Sequence, residues 1–164
     1  MSAILVTGGA GYIGSHTSRQ LLDAGHSVTV IDNLYSGFQW AVDSRAVFIK
    51  GDIADSDLVN SVLAEHSIDA VVHFAGHIVV PESVADPLKY YDNNVAGSLN
   101  LLQCCLGSGV HQFVFSSSAA VYGVPDSNPI DESVTPAPIN PYGTSKLITE
   151  WTLRDLATAE ADFR

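Results

Sequence analysis

Cysteine is scarce in this chain, and histidine never has the spacing of a metal site. The only two cysteines, Cys104 and Cys105, are adjacent within a helical pattern, so they form neither a C-x-x-C redox pair nor a zinc knuckle. The six histidines are scattered over separate predicted elements, and no two stand four apart on one predicted helix. We therefore expect packed thiols and no bound metal.

Basic residues are also few. Seven lysines and arginines face 18 aspartates and glutamates, which gives a formal net charge of −11 and repels nucleic-acid phosphates and anionic membranes. No apolar run is long enough to span a bilayer, and the N-terminus lacks a basic segment before an apolar one. We expect no nucleic-acid or membrane partner, no secretory signal and a cytoplasmic location.

The chain does contain strand-like and helical segments in alternation. Its 164 residues fit one domain. The predicted strands are residues 3–7, 27–32, 46–51, 70–74 and 112–116, and the predicted helices are 13–24, 56–65, 88–106 and 141–159. The strands are almost wholly apolar, which is typical of parallel strands buried on both faces. The pattern predicts an α/β fold with a doubly wound parallel sheet, Rossmann-like.

Two further segments carry structural expectations. In the third predicted helix, Val95, Leu99, Leu102 and Leu106 form an apolar stripe that we expect to be core, with Gly107 as the helix stop. Residues 123–140 contain four prolines and predict an extended loop.

The turn after the first strand is rich in glycine. Gly8, Gly11 and Gly14 stand three apart where the strand leads into a helix. Glycine permits a sharp turn and close approach of a ligand, and the unpaired amides of a helix N-terminus bind phosphate. This segment predicts a dinucleotide-binding site. The alternative is a tight strand-to-helix turn that binds no ligand.

An acidic residue ends the second strand. Asp32 lies where an acidic side chain of a dinucleotide fold accepts hydrogen bonds from the adenosine ribose and repels a 2′-phosphate, which favours NAD over NADP. The alternative is that Asp32 merely ends the strand or begins a turn.

Tyr142 and Lys146 follow Pro141 and share one face of the last predicted helix. Lowering the pKa of a tyrosine from about 10 to near neutrality takes roughly 4 kcal/mol, which a lysine ammonium and a positive nicotinamide ring could supply. The pair then becomes a general base. The serines 116–118 end the fifth strand, where a hydroxyl could bond a reacting oxygen or simply cap the strand.

Together these segments resemble the extended short-chain dehydrogenase/reductase superfamily, and within it the UDP-glucose 4-epimerases. The matching segments are T-G-G-A-G-Y-I-G-S-H (7–16), D-N-L (32–34), G-D-I (51–53), H-F-A-G (73–76), P-E-S-V (81–84), N-N-V (93–95), F-S-S-S-A-A-V-Y-G (115–123) and P-Y-G-T-S-K (141–146). They span the chain almost from end to end.

The resemblance implies NAD contacts in five places. It assigns Tyr12 and Ile13 to the pyrophosphate through the glycine turn, Asp32 and Asn33 to the ribose, Asp52 and Ile53 to the adenine, Phe74, Ala75 and Gly76 to the middle of NAD, and Asn94 to the cofactor from the long helix.

The resemblance also implies a reaction with a UDP-sugar. Tyr142 takes the proton of the sugar 4-hydroxyl while NAD accepts the hydride from C4, and the hydride then returns to the other face of the 4-keto sugar. Lys146 holds the nicotinamide ribose and lowers the pKa of the tyrosine, and Ser118 bonds the reacting hydroxyl.

The sequence departs from the family in two respects. No lysine follows Phe74-Ala75-Gly76, so we carry over no cationic contact there. The sixth strand and the substrate-binding half of the family are absent, so we expect a cofactor-binding half without full activity. Apolar surface left uncovered in this way favours association, such as a homodimer.

Two rival functions stay open. A nucleotide-sugar 4,6-dehydratase usually has an Asp-Glu pair after the residue corresponding to Ser118, whereas this chain has Ala119-Ala120, so simple epimerisation or a UDP-glucuronate epimerase fits better. A non-catalytic NAD-binding module would explain the missing substrate half but not the retention of Ser118, Tyr142 and Lys146.

Overall fold

A computed structural model of the chain describes residues 1–125 and 128–164. Five parallel strands form one sheet, and they are β1 (Ala3–Thr7), β2 (Ser27–Asp32), β3 (Val47–Lys50), β4 (Ala70–His73) and β5 (Gln112–Phe115). Their order is β3-β2-β1-β4-β5, with every neighbouring pair parallel. The predicted Rossmann-like sheet is confirmed, with β1 at its centre.

The helices of the described residues are α1 (Tyr12–Asp23), α2 (Ser56–Glu65), α3 (Val80–Ala85), α4 (Pro87–Tyr90), α5 (Gly97–Gly107) and α6 (Pro141–Ala159). A π-helical segment, Tyr91–Ala96, joins α4 to α5, so the helix predicted at 88–106 is interrupted by a wider turn. The sequence did not predict α3 or the 3-10 turns Gln39–Ala41 and Ala119–Tyr122. None of the described helices is long and apolar enough to cross a membrane.

Side-chain caps fix the start of α2 and α6. Asp55 accepts a hydrogen bond from the amide of Leu58 at 3.0 Å and so caps α2. Asn140 accepts one from the amide of Gly143 at 2.8 Å at the start of α6, where Pro141 occupies the first helical position. Each cap satisfies a backbone donor that the helix itself leaves free. The cap at Asn140 therefore fixes where the first turn of α6 begins.

Hydrophobic clusters cover both faces of the sheet. Leu5 lies in one cluster with side chains of α2 and α5, whereas Ile4 and Val6 lie in another with Leu21 and Leu22 of α1. Alternate side chains of β1 thus pack on opposite faces of the sheet, as the geometry of a strand requires. Burial on both faces explains why the strands are apolar throughout.

The predicted apolar stripe on the long helix is only partly right. Leu102 is buried, but Leu99 is 40% exposed, and the buried face of α5 also contains Leu101, Cys104 and Cys105. The π turn before α5 changes the phase of the helix, so a face extrapolated from Val95 at α-helical spacing does not continue into the core. The two cysteines are packed thiols, as predicted.

The described part of the predicted loop 123–140 contains no helix or strand, and residues 126 and 127 lie outside the described residues. Beyond β5, the backbone of Arg164 pairs with the sheet. Its amide donates to the carbonyl of His111 at 2.8 Å, and its carbonyl accepts from the amide of Phe113 at 2.8 Å. This is the bonding pattern of a parallel ladder on the outer side of β5.

Candidate active site

A cavity of ≈ 560 Å³ lies at the carboxyl ends of the strands. It is lined by segments that follow all five strands and by two residues of α6, Tyr142 and Lys146. Of the sequence-predicted site residues, all except Asn94 and Ser118 line it. The carboxyl edge is where open parallel sheets bind ligands, so the topology and the predicted residues agree on one place.

The glycine turn forms the floor of the cavity and has no room for side chains. Gly8 has φ +70°, and a Cβ there would lie 2.6 Å from the amide nitrogen of Ala75. A Cβ on Gly14 would overlap the carbonyl oxygen of Gly8. No side chain caps α1 at Gly11. The first amides of α1 therefore face the cavity without a side-chain partner, an arrangement that fits a pyrophosphate.

Asp32 holds the glycine turn in place. Its carboxylate is buried, and its two oxygens accept hydrogen bonds from the amides of Ala10 at 2.9 Å and Leu34 at 2.8 Å. Asp32 therefore begins a turn and also lines the cavity. A carboxylate offers about four acceptor sites, so two remain for the hydroxyls of a ribose.

The adenine side of the predicted site is also preassembled. Asn33 donates from Nδ2 to a carboxylate oxygen of Asp52 at 2.8 Å, which links the segments after β2 and β3. The other carboxylate oxygen of Asp52 accepts from the amide of Ala54 at 3.0 Å. Ile53 lines the cavity although it is only 5% exposed.

The π segment places Asn93 in the cavity lining and Asn94 behind it. Asn94 is buried, and its amide bonds both backbone polar groups of His77 as well as the hydroxyl of Ser145. Its Oδ1 also lies near Gly76, where an added Cβ would be 3.3 Å away. Sequence reasoning named Asn94 and not Asn93, and the π turn that separates their environments leaves no signal in the sequence pattern.

The first turn of α6 packs closely on the segment after β5. A Cβ on Gly143 would lie 2.5 Å from the carbonyl oxygen of Ala120, so glycine allows the approach. Tyr142, next to it, lines the cavity, and its phenol makes no hydrogen bond within residues 1–125 and 128–164. The Tyr142 hydroxyl is therefore available to a ligand.

Lys146 is 4% exposed at the bottom of the same cavity. Its Nζ donates to the carbonyl oxygen of Ser116 at 3.0 Å and lies 4.7 Å from the centre of the Phe115 ring. Burial lowers the pKa of Lys146 to about 8. The ammonium is thus charged at neutral pH and poorly solvated, so it interacts strongly with a nearby anion or phenolate.

The three serines after β5 have different roles. Ser116 provides the carbonyl that holds Lys146, and both Ser116 and Ser117 line the cavity. Ser118 caps the following 3-10 turn, since its Oγ accepts from the amide of Ala120 at 3.2 Å. The capping interpretation thus applies to Ser118, whose hydroxyl proton has no acceptor among the described residues.

A buried polar chain under the site was not predicted. The Nδ1 of His73 lies 2.6 Å from the Thr7 hydroxyl, and its Nε2 lies 2.8 Å from the Ser98 hydroxyl. The Ser98 hydroxyl donates to the Asn94 carbonyl at 2.6 Å, so it must accept from His73 Nε2–H, and Thr7 donates to Nδ1. Burial and the charge of Lys146 lower the pKa of His73 to about 3, so the ring is neutral. The signal in the sequence was a histidine inside an apolar strand.

Comparison with known proteins gives a consistent result. Residues 4–164 match the NAD dependent epimerase/dehydratase family. The UDP-glucose 4-epimerase of Azospirillum brasilense is 54% identical over 156 residues, which cover 95% of this chain and 45% of the relative. The crystal structure of UDP-glucose 4-epimerase from Brucella ovis in complex with NAD has a TM-score of 0.96 at 45% identity, covering 100% of this chain and 50% of that one.

A further solved structure is similar over the same region. UDP-glucose-4-epimerase from Stenotrophomonas maltophila, with bound NAD and formylated UDP-arabinopyranose, has a TM-score of 0.97 at 41% identity. It is covered over 51% of its length, so the chain spans about half the length of the relatives that it matches. The fold, the glycine turn and the match over nearly all residues lead to one conclusion: this chain belongs to the NAD dependent epimerase/dehydratase family.

Proposed function

We propose that the chain binds NAD and forms the cofactor-binding part of an isomerase that inverts C4 of a nucleotide sugar, interconverting UDP-glucose and UDP-galactose. One observation carries the proposal. The free phenol of Tyr142 and the buried ammonium of Lys146 line the same cavity as the glycine turn. Binding of a dinucleotide alone needs no such pair, whereas proton transfer beside it does.

Two neighbouring parts of the cavity fit NAD. The glycine turn offers a side-chain-free approach to the unpaired amides of α1, which suits the pyrophosphate. Beside the turn, Asp32 and Asp52 present carboxylate oxygens that accept hydroxyl or amino hydrogens and repel a 2′-phosphate. These features support NAD in preference to NADP.

The chemistry of the site follows from two side chains. NAD, when bound, supplies the acceptor and later the donor of a hydride. Tyr142 takes the proton from the 4-hydroxyl of the sugar, and Lys146 stabilises the phenolate by its charge. The carbonyl of Ser116 holds Lys146 at 3.0 Å, so the ammonium stays in the cavity instead of turning to solvent. The Ser118 hydroxyl donates a hydrogen bond to the reacting oxygen, while the proton itself goes to Tyr142.

A UDP-sugar substrate is supported by the names of the relatives, which are UDP-glucose 4-epimerases. Elimination of water is less well supported, because the positions after Ser118 are Ala119 and Ala120, which begin a 3-10 turn and carry no proton-transferring group. The proposal places the chain in galactose metabolism in the cytoplasm.

Two measurements on the purified chain test the proposal. Calorimetry with NAD and with NADP should show saturable binding of NAD. Asp32→Ala should reduce both the affinity for NAD and the preference for NAD over NADP. Conversion of UDP-galactose to UDP-glucose should then be measured with NAD present, for the chain and for Tyr142→Phe. Tyr91→Phe is the matched control, because Tyr91 lies on the π segment and does not line the cavity.

The outcomes separate the candidate functions. Conversion that Tyr142→Phe abolishes and Tyr91→Phe preserves supports the isomerase. Saturable NAD binding with no conversion supports the NAD-binding part of the proposal and contradicts C4 inversion by this chain alone. Absence of NAD binding by folded protein contradicts both.

A further inference from the structure

Two loops meet across the mouth of the cavity through Tyr35 and His77. Tyr35 follows β2 and His77 follows β4, and the two strands lie on opposite sides of β1. Their ring centroids are 4.6 Å apart with an interplanar angle of 60°. Both residues line the cavity together with the glycine turn that follows β1. The pair therefore spans the space in front of the turn.

The His77 side of this contact is rigid. Its backbone amide and carbonyl are bonded by the side chain of Asn94 at 2.7 and 3.0 Å. Its ring also packs against Tyr90, with centroids 5.5 Å apart, and Tyr90 is fully buried. His77 thus forms a fixed wall.

The Tyr35 side is held through its phenol oxygen by partly exposed charged side chains. Tyr35 is 59% exposed, and its phenol oxygen accepts a hydrogen bond from Nζ of Lys89 at 2.8 Å and donates one to Oε1 of Glu82 at 3.5 Å. The same ammonium lies 4.9 Å from the centre of the Tyr35 ring and is paired with Glu82. Glu82 is in turn hydrogen-bonded by the Tyr90 hydroxyl at 2.9 Å. Lys89 therefore ties the Tyr35 loop to the helices beside His77.

We propose that Tyr35 and His77 form a strap across the bound dinucleotide, with Lys89 as the positioning residue that holds Tyr35 closed. The strap contacts the middle of the cofactor from the side opposite the glycine turn. Entry and exit of the cofactor require Tyr35 to swing away from His77, since His77 is fixed. The inference rests on the proposed NAD binding and adds that Lys89, which does not line this cavity, sets the rate of exchange.

Release kinetics test the strap independently of catalysis. NAD-loaded chain is mixed with an excess of a second enzyme that reduces free NAD, and the fluorescence of NADH reports the release rate constant. The dissociation constant comes from calorimetry, and the two values give the association rate constant. Tyr35→Phe retains the ring but loses the acceptor for Lys89, and Lys89→Met retains the aliphatic stem but loses the charge.

A strap affects both directions of exchange. Each variant should raise the release and association rate constants about fivefold, because it removes partly exposed polar contacts between Tyr35 and the Lys89–Glu82 pair, with little change in the dissociation constant. The double variant should be no faster than either single variant, because both act on one contact. Tyr91→Phe and Lys50→Met are the matched controls, since neither residue lines the cavity or belongs to this contact.

The alternative results are distinguishable. A variant that releases NAD faster with an unchanged association rate shows that Tyr35 is an ordinary contact and overturns the strap. Unchanged rates in both variants overturn it too, while the proposed NAD binding stands. A parent chain that binds no NAD overturns the proposed function together with the strap.

Discussion

Asn94 bonds both backbone polar groups of His77. Its Oδ1 accepts from the His77 amide at 2.7 Å, and its Nδ2 donates to the His77 carbonyl at 3.0 Å. The same Nδ2 donates to the hydroxyl of Ser145 in the first helical turn that carries Tyr142, at 3.1 Å. Asn94 therefore connects His77, which lines the cavity, to the helix that carries Tyr142. It influences the site through these two residues.

We predict that Asn94→Leu mainly lowers the stability of the fold, whereas Asn93→Leu mainly weakens NAD binding. Asn94→Leu removes several buried hydrogen bonds at once, so the free energy of unfolding should fall by about 2 to 4 kcal/mol. Asn93→Leu should cost less than about 1 kcal/mol and instead weaken NAD binding, because Asn93 lines the cavity. Urea unfolding and calorimetry measure the two effects. Equal loss of stability in both variants would contradict this division.

The sheet could be predicted from the sequence because each strand is a short apolar run between turn residues. The observed β1 and β2 have the predicted bounds, and β3, β4 and β5 end within one residue of theirs. Helix α3 was missed, since six residues carry too little periodicity to identify a helix. The phase of the long helix was missed as well, because its π turn depends on tertiary contacts and not on a residue pattern.

The candidate site could be predicted where the chemistry depends on local motifs. The glycine turn, Tyr142 and Lys146 were found because each motif stands within a few residues of sequence. The contact between Tyr35 and His77 joins residues 42 positions apart on loops after different strands, and no local pattern encodes it. Nor does spacing show that Lys146 is held by the carbonyl of Ser116, 30 positions away.

We predict that the glycines of the turn are intolerant of a methyl group. Gly14→Ala places a Cβ against the backbone of Gly8 and Gly9, so it should lower the unfolding free energy by about 2 kcal/mol and abolish NAD binding. Gly107→Ala is the matched control, since an added Cβ there meets nothing within 4 Å. It should leave NAD binding intact and stabilise the end of α5 by up to about 1 kcal/mol. Thermal unfolding and calorimetry test the pair, and normal NAD binding by Gly14→Ala would contradict the proposed turn.

We predict that His73 makes the fold sensitive to acid. Its pKa is lowered from an ordinary 6.5 to about 3. Between these two pH values the His73 side chain is protonated in the unfolded chain and neutral in the folded chain. Stability is thus unaffected by His73 above its unfolded pKa and falls as the pH drops from 6.5 towards 3. Between pH 7 and 5 the loss due to this residue should be about 2 kcal/mol.

Comparison with His73→Gln isolates this effect. Glutamine keeps hydrogen-bonding capacity but does not titrate, whereas the other histidines are the same in both proteins. Urea unfolding at pH 7 and pH 5 should show that the variant, although less stable at pH 7, loses about 2 kcal/mol less on acidification. An identical loss in both proteins would show that His73 is not the titrating group.

We predict that NAD affinity falls as the pH rises through the titration of Lys146. Burial lowers the pKa of Lys146 to about 8, so the ammonium is present below that pH and largely lost at pH 9. Ribose oxygens that accept hydrogen bonds from Lys146 favour the ammonium form, so binding above pH 8 must be accompanied by uptake of a proton. The affinity for NAD should therefore drop about tenfold between pH 7 and 9.

Calorimetry in buffers of different ionisation enthalpy should detect an uptake close to one proton at pH 9. Lys146→Met should bind more weakly at pH 7 and show neither the drop nor the uptake, and an unchanged pH profile in that variant would assign the titration to another group.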